Sequence, residues 1–131
     1  MATYSDEILR FAETTPLTIP EGMHFTEAAN RLCGDKIRVA LDTDGDTITQ
    51  VRWQVEGCAI LRASAAFMAR LLVRNTIGEG HHLIADFEKS FTEENAFRTG
   101  ALEAIYKLPA RYKCALLPWQ AAENFLREGQ R

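Results

Sequence analysis

Apolar residues recur with different periods along the chain, and each change of period marks a new element. In "YSDEILRFAE", Ile8, Leu9 and Phe11 gather on one side behind Ser5 and two acids. This predicts a short helix capped by Ser5 and ended by Pro16 and Pro20. Residues 23–30 alternate only weakly and predict a short edge strand. "KIRVALD" alternates Ile37, Val39 and Leu41 with polar or small partners, and "TITQVRWQV" repeats that period less strictly through Ile48, Val51, Trp53 and Val55. Between them "DTDGDT" supplies the Asp and Gly residues of a tight turn, so the two segments read as an antiparallel hairpin. From residue 59 to 73 the chain is apolar except at Arg62, Ser64 and Arg70, which predicts a helix buried around most of its circumference. "TIGEGHHLIADFEKSF" reads as a loop leading into a helix, and "TEENAFRTGALEAIYKL" as a lead into another. "RYKCALLPWQAAENFLREG" closes the chain as an amphipathic helix with Leu116, Leu117, Trp119, Ala122, Phe125 and Leu126 as its apolar set. Because proline is tolerated only in a first turn, Pro118 places the start of that helix near Cys114, with residues 129–131 as a frayed end.

Composition narrows the picture. A chain of 131 residues that is 47% hydrophobic suits one domain spanning residues 1–131. A net charge of −3 gives no reason to expect nucleic acid or an anionic membrane as partner, since both attract basic faces. The first twenty residues carry Asp6, Glu7, Arg10 and Glu13 and no apolar run, so neither a signal peptide nor a membrane span is expected. Three widely spaced cysteines argue for free thiols in a reducing, cytoplasmic compartment and against a disulfide framework.

Candidate chemistry centres on those thiols. The acids Asp42, Asp44 and Asp46 alternate as in a calcium loop, but such a loop needs glycine sixth and glutamate twelfth, where this chain has Gly45 fourth and Trp53 twelfth. Calcium is set aside. Cys33 stands in a loop before a strand, Cys58 at a strand-to-helix junction and Cys114 near the start of the last helix. A helix N-terminus favours the thiolate, and Lys107, Arg111 and Lys113 around Cys114 are expected to favour it further. With Asp35 the three thiols make four ligands, the number a tetrahedral zinc or an iron in a cluster requires. Any one of these cysteines alone reads as an inert core residue, and no Cys-x-x-Cys pair is present. His24, His81 and His82 are possible metal ligands, although His81 and His82, in a loop before an apolar run, read as solvated; Trp53 and Trp119 read as core. Lys107, Lys113 and Arg62 read as solvated surface, with a docking face as the sharper reading. A thiol enzyme pairing Cys33 or Cys114 with a histidine base is the alternative class, without a paired histidine motif to carry it.

The segments "CGDKIRVALDTDGDTITQVRWQVEGCAILRASAAFMARLL" and "GALEAIYKLPARYKCALLPWQAAENFL" resemble the U-type iron–sulfur cluster assembly proteins, the group containing IscU, SufU and the N-terminal domain of NifU. The likeness rests on Cys-Gly-Asp, on Glu-Gly-Cys before an Ala/Ser-rich helix, and on a basic stretch leading into the third cysteine and a tryptophan. It is closer to SufU, because Lys113 stands where IscU has a histidine and Leu108-Pro109-Ala110-Arg111 replaces the IscU chaperone motif. The resemblance implies an α+β fold, a small antiparallel three-stranded sheet packed against several helices. It implies that Cys33, Asp35, Cys58 and Cys114 bind zinc, as in SufU-like members, or support iron and a transient [2Fe–2S] cluster, as in IscU-like ones. It implies a cysteine desulfurase as partner, with apo iron–sulfur proteins or other assembly factors downstream. The expected role is a sulfur carrier or scaffold, at most a sulfurtransferase acting with the desulfurase. Cys33 is the expected sulfur acceptor, on the Gly34 loop, with Arg111 and Lys113 as supporting residues.

Overall fold

The computed structural model describes residues 6–92 and 103–128. Helix α1 (Asp6–Ala12) is followed by strands β1 (Thr26–Asn30), β2 (Asp35–Asp44) and β3 (Thr47–Glu56), then helices α2 (Ala59–Leu72) and α3 (Ile77–Thr92). Two short 3-10 turns, Glu103–Lys107 and Pro109–Arg111, lead into helix α4 (Tyr112–Glu128). The strands form one antiparallel sheet in the order β1-β2-β3, so the expected α+β architecture with three strands is what the chain adopts. Ser5, the expected α1 cap, lies outside the described residues, as do most of the segment assigned to a fourth helix before Lys107 and the C-terminal residues 129–131.

The hairpin turn is set by local chemistry. Asp44 pairs with Thr47, leaving Gly45 and Asp46 as a two-residue loop, and Gly45 takes a φ of 61° that a side chain would disfavour. Asp42 serves structure here: Arg52 donates from Nε and Nη2 to its carboxylate at 3.0–3.3 Å.

The helices cover one face of the sheet. Ile37, Val39 and Leu41 of β2 and Ile48, Val51 and Trp53 of β3 are buried, as their alternation predicts. Helix α2 buries Ile60, Leu61, Ala63, Ser64, Ala65, Ala66, Met68, Ala69 and Leu72, leaving Arg62 and Arg70 exposed. Trp119 of α4 is fully buried, stacked on Phe87 of α3 with ring centroids 3.8 Å apart. Its indole N–H donates to Ser64 Oγ at 2.9 Å, and that hydroxyl donates to the Ala115 carbonyl of α4 at 2.5 Å. Buried polar groups require such partners, so this pair locks α2 against the first turns of α4.

Two sequence expectations are corrected. Residues 77–82, including His81 and His82, belong to α3 rather than to a loop. Thr76 Oγ1 accepts from the Glu79 N–H at 3.1 Å while Glu79 Oε1 accepts from the Thr76 N–H at 2.9 Å, a reciprocal cap that starts the helix despite Gly78 and Gly80. Those bonds hold the Glu79 carboxyl below its usual range. Helix α4 begins at Tyr112 instead of near Cys114, because the 3-10 turn over Pro109–Arg111 runs straight into it. Pro118 therefore lies two residues deeper than expected, in the second turn, and leaves the Cys114 carbonyl without its usual intrahelical donor.

Candidate functional site

The site forms where the β1–β2 turn, the end of β3 and the starts of α2 and α4 meet. The Asn30–Asp35 pair closes the β1–β2 turn, and residues 31–34 span it. The Asn30 carbonyl accepts from the N–H groups of Cys33 at 3.2 Å and Gly34 at 2.9 Å. Gly34 takes a φ of 72°, the left-handed turn that returns the chain into β2. Cys33 is exposed on this turn, and the Asn30 side-chain amide reaches its sulfur at 3.6 Å.

Asp35 comes next and lies in phase with Ile37, Val39 and Leu41, so the pleat points its carboxylate to the buried face. It is 5% exposed. The β2–β3 register pairs Lys36 with Glu56, which brings Asp35 beside Gly57. A Cβ on Gly57 would lie 2.6 Å from Asp35 Oδ1, 2.9 Å from its Cγ and 2.7 Å from Leu61 Cδ2. Glycine here makes room for the carboxylate.

Cys58 is the N-cap of α2, yet its side chain does not cap the helix. Its thiol donates instead to Asp35 Oδ2 at 3.7 Å. Cys114, in the first turn of α4, is fully buried. Its sulfur, that of Cys33 and an oxygen of Asp35 all lie within 4.8 Å of one another. Around a tetrahedral ion with bonds of about 2.3 Å, sulfur ligands sit roughly 3.8 Å apart, so the spacing is close to that of a coordination shell. Cys58, the fourth expected ligand, falls outside that group and meets it only through its hydrogen bond to Asp35. The two sulfurs and one oxygen that converge are a donor set that could hold a metal ion such as zinc, with soft ligands in the majority and one harder oxygen beside them.

The electrostatics of Cys114 run opposite to the expectation. Burial above all, then a hydrogen bond to Asp35 and the electrostatic influence of the neighbouring Cys58 and Asp35, push its thiol far above the usual range. The helix N-terminus and the basic neighbours do not prevail. Lys107 and Lys113 point into solvent, where water screens them, and Arg111 is half-buried at the end of the 3-10 turn. Such a thiol stays protonated unless a cation joins it.

Two of the three histidines are engaged elsewhere. His24 pairs with Glu128, and His81 Nδ1 lies 2.9 Å from both carboxylate oxygens of Glu123. Glu123 is nine residues beyond Cys114, about 14 Å along the α4 axis at 1.5 Å per residue, too far for His81 to serve Cys114 as a base. His82 is exposed. Trp53 and Trp119 are buried, as expected. The signals for Asp35 and for the α3 cap were present in the sequence, as period two and as Thr-x-x-Glu. The crowding at Gly57 had none.

Comparison with known proteins places this geometry. Residues 10–121 match the model of the NifU-like N terminal domain. The zinc-dependent sulfurtransferase SufU of Bacillus subtilis is 33% identical over 101 residues, covering 72% of this chain and 69% of that protein. The iron–sulfur cluster assembly scaffold protein IscU of Thermotoga maritima is 28% identical over 133 aligned positions, covering 95% of this chain and 93% of its own. Among solved structures, FiSufU of Fervidobacterium islandicum superposes with a TM-score of 0.84 at 27% identity, covering 95% of this chain and 96% of the other. The N-terminal part of a NifU-like protein from Brucella abortus shares the fold, with a TM-score of 0.78 at 22% identity. Among the described residues no helix is long and apolar enough to cross a membrane. The chain belongs to the NifU-like N-terminal domain family.

Proposed function

We propose that this chain serves iron–sulfur cluster assembly by accepting persulfide sulfur from a cysteine desulfurase on Cys33, at a zinc site formed by Cys33, Asp35, Cys58 and Cys114. The observation that carries this reading is the convergence of Cys33, Asp35 and Cys114 within 4.8 Å from separate elements, with Cys58 on the same carboxylate. The SufU relative, a zinc-dependent sulfurtransferase, supports it. Zinc in this site supplies the positive charge that keeps the three sulfurs as thiolates at neutral pH. The chain's own residues divide the remaining work. Cys33 is exposed on a turn that Asn30 pins, Asp35 is buried at the start of a paired strand, and Cys114 is fully buried in the core.

The test is direct. Protein purified without chelator should hold about one zinc per chain, and each Cys→Ser change should weaken binding, since a tetrahedral site needs all its ligands. Zinc uptake by the stripped protein should release protons, because the buried Cys114 thiol is held protonated until the ion arrives. Calorimetry in two buffers of different ionisation heat reads this release. A stripped protein that gains no stability from zinc, and whose three thiols all react rapidly with a thiol reagent, would exclude the shared site.

A second reading uses the same residues to hold a nascent [2Fe–2S] cluster before delivery to apo proteins. The IscU relative, a scaffold protein aligned over 95% of this chain, favours it. Here the weak oxygen ligand keeps the cluster exchangeable. Asp35→Ala should therefore lengthen the lifetime of a cluster reconstituted with iron and sulfide and slow its transfer to an apo-ferredoxin, both followed by visible absorbance. Equal lifetimes and transfer rates for Asp35→Ala and wild type would remove this role.

A further inference from the structure

We propose that Leu32 is the anchor by which a sulfur-donating protein engages this chain, an inference that rests on Cys33 being the sulfur acceptor. Leu32 is 89% exposed, twice as exposed as Leu17 at 44%, the next of the large apolar residues at the surface. A single exposed leucine is ordinary on a protein surface. Leu32 differs because of what holds it. Its N–H donates to Asn30 Oδ1 at 3.1 Å, and the next two N–H groups donate to the Asn30 carbonyl. Asn30 thus pins three successive backbone donors and, through its amide, touches the Cys33 sulfur at 3.6 Å. The apolar side chain and the reactive sulfur leave the same pinned turn.

That placement decides what can cover Leu32. Adjacent Cα atoms are about 3.8 Å apart and both side chains are exposed, so a protein that brings a sulfur to bonding distance of Cys33 Sγ comes within side-chain reach of Leu32. A small persulfide need not. The partner is therefore the persulfide-bearing protein itself, with an apolar socket beside its reactive sulfur. Arg31 and Lys113, both exposed and each next to or near a cysteine of the site, call for carboxylates at the rim of that socket. Central apolar anchors dominate binding where they fill a pocket, whereas rim charges mainly set association rate and salt dependence.

The experiment titrates a cysteine desulfurase from the same organism with wild type, Leu32→Ser and Leu32→Met, all loaded with zinc. Leu32→Ser should raise the concentration for half-maximal stimulation by about tenfold or more, leaving maximal stimulation and zinc content unchanged, and Leu32→Met should stay near wild type. Sulfur uptake on Cys33 from glutathione persulfide should be equal in all three. An unchanged half-saturation in Leu32→Ser would overturn the proposal. An equal slowing with the small donor would also overturn it, by showing that Leu32 shapes Cys33 rather than docks a partner. A lowered sedimentation coefficient of Leu32→Ser alone would assign the leucine to self-association instead. Wild type that neither stimulates the enzyme nor gains sulfur from either donor would overturn the acceptor reading, and the role of Leu32 with it.

Discussion

Cys33→Ser is expected to abolish stimulation of a cysteine desulfurase while the protein remains folded. In the proposed transfer, the Cys33 thiolate would attack the outer sulfur of the donor persulfide. The new bond joins Sγ to that sulfur, the donor's own S–S bond breaks, and the donor cysteine leaves as a thiolate with the electron pair. No external oxidant or reductant is consumed. A serine hydroxyl is far less nucleophilic toward sulfur and is not ionised near neutral pH, so the step stops. Folding is spared because Cys33 is exposed and packs no core, and surface substitutions of this kind usually change stability by no more than about 0.5 kcal/mol. Cys114→Ser makes the contrast, since Cys114 is fully buried and its loss should lower stability as well as zinc binding. Mass spectrometry of wild type after treatment with desulfurase and cysteine should place one extra sulfur on Cys33. Sulfur found only on Cys58 or Cys114 would reassign the acceptor. Sulfur on none of them, with desulfurase activity unchanged, would remove the carrier role.

Exposure is what separates Cys33 from its neighbours, and it was only partly legible in the sequence. Gly34 pointed to a turn, and the turn is there with a left-handed φ. The three cysteines were expected at element ends, and all are found there. Asp35 was linked to Cys33 by proximity, although a stronger signal lay in the strand itself. Counting by twos from Leu41 through Val39 and Ile37 arrives at Asp35, which makes it the one charged residue on the buried face of β2. A carboxylate in that phase needs partners, and the thiols of Cys58 and Cys114 are among them.

Other features depend on contacts between distant segments, and local pattern does not carry them. The lysines and arginine near Cys114 suggested a lowered thiol pKa. Sequence neighbours on a helix face different ways, however, and solvent screens Lys107 and Lys113 while the sulfur points into the core. Burial decides the outcome. The loop expected around His81 failed for another reason: the reciprocal cap between Thr76 and Glu79 and tertiary packing start the helix there, ahead of Gly78 and Gly80. Gly80 even helps, since a Cβ there would lie 3.2 Å from Ile48 Cδ1 and 3.4 Å from Leu126 Cδ1. The close approach that looks like a helix breaker in sequence seats α3 against the sheet and α4.

Gly57→Ala should disable the site without replacing any proposed ligand. The added methyl would sit 2.6 Å from Asp35 Oδ1 and 2.9 Å from its Cγ, well inside contact distance, and 2.7 Å from Leu61 Cδ2. Leu61 is fully buried and Asp35 belongs to a paired strand, so neither yields cheaply. Overpacking of this kind costs about 1–3 kcal/mol, which urea unfolding of the zinc-free protein reads as a lower midpoint. The displaced carboxylate also loses its place beside Cys58 and Cys114. Changes that disturb the shell around a metal ligand commonly weaken binding by about 10- to 100-fold, and a comparable loss of zinc affinity is expected here. A double-mutant cycle isolates the cause. With Asp35→Ala in the background, Gly57→Ala should cost less stability than in wild type and reduce zinc affinity little further, because the group it displaces is already gone. Leu61 would account for the stability cost that remains. Wild-type zinc affinity in Gly57→Ala, or full additivity of the two changes, would show that the carboxylate does not hold its position in the site through the space that Gly57 leaves.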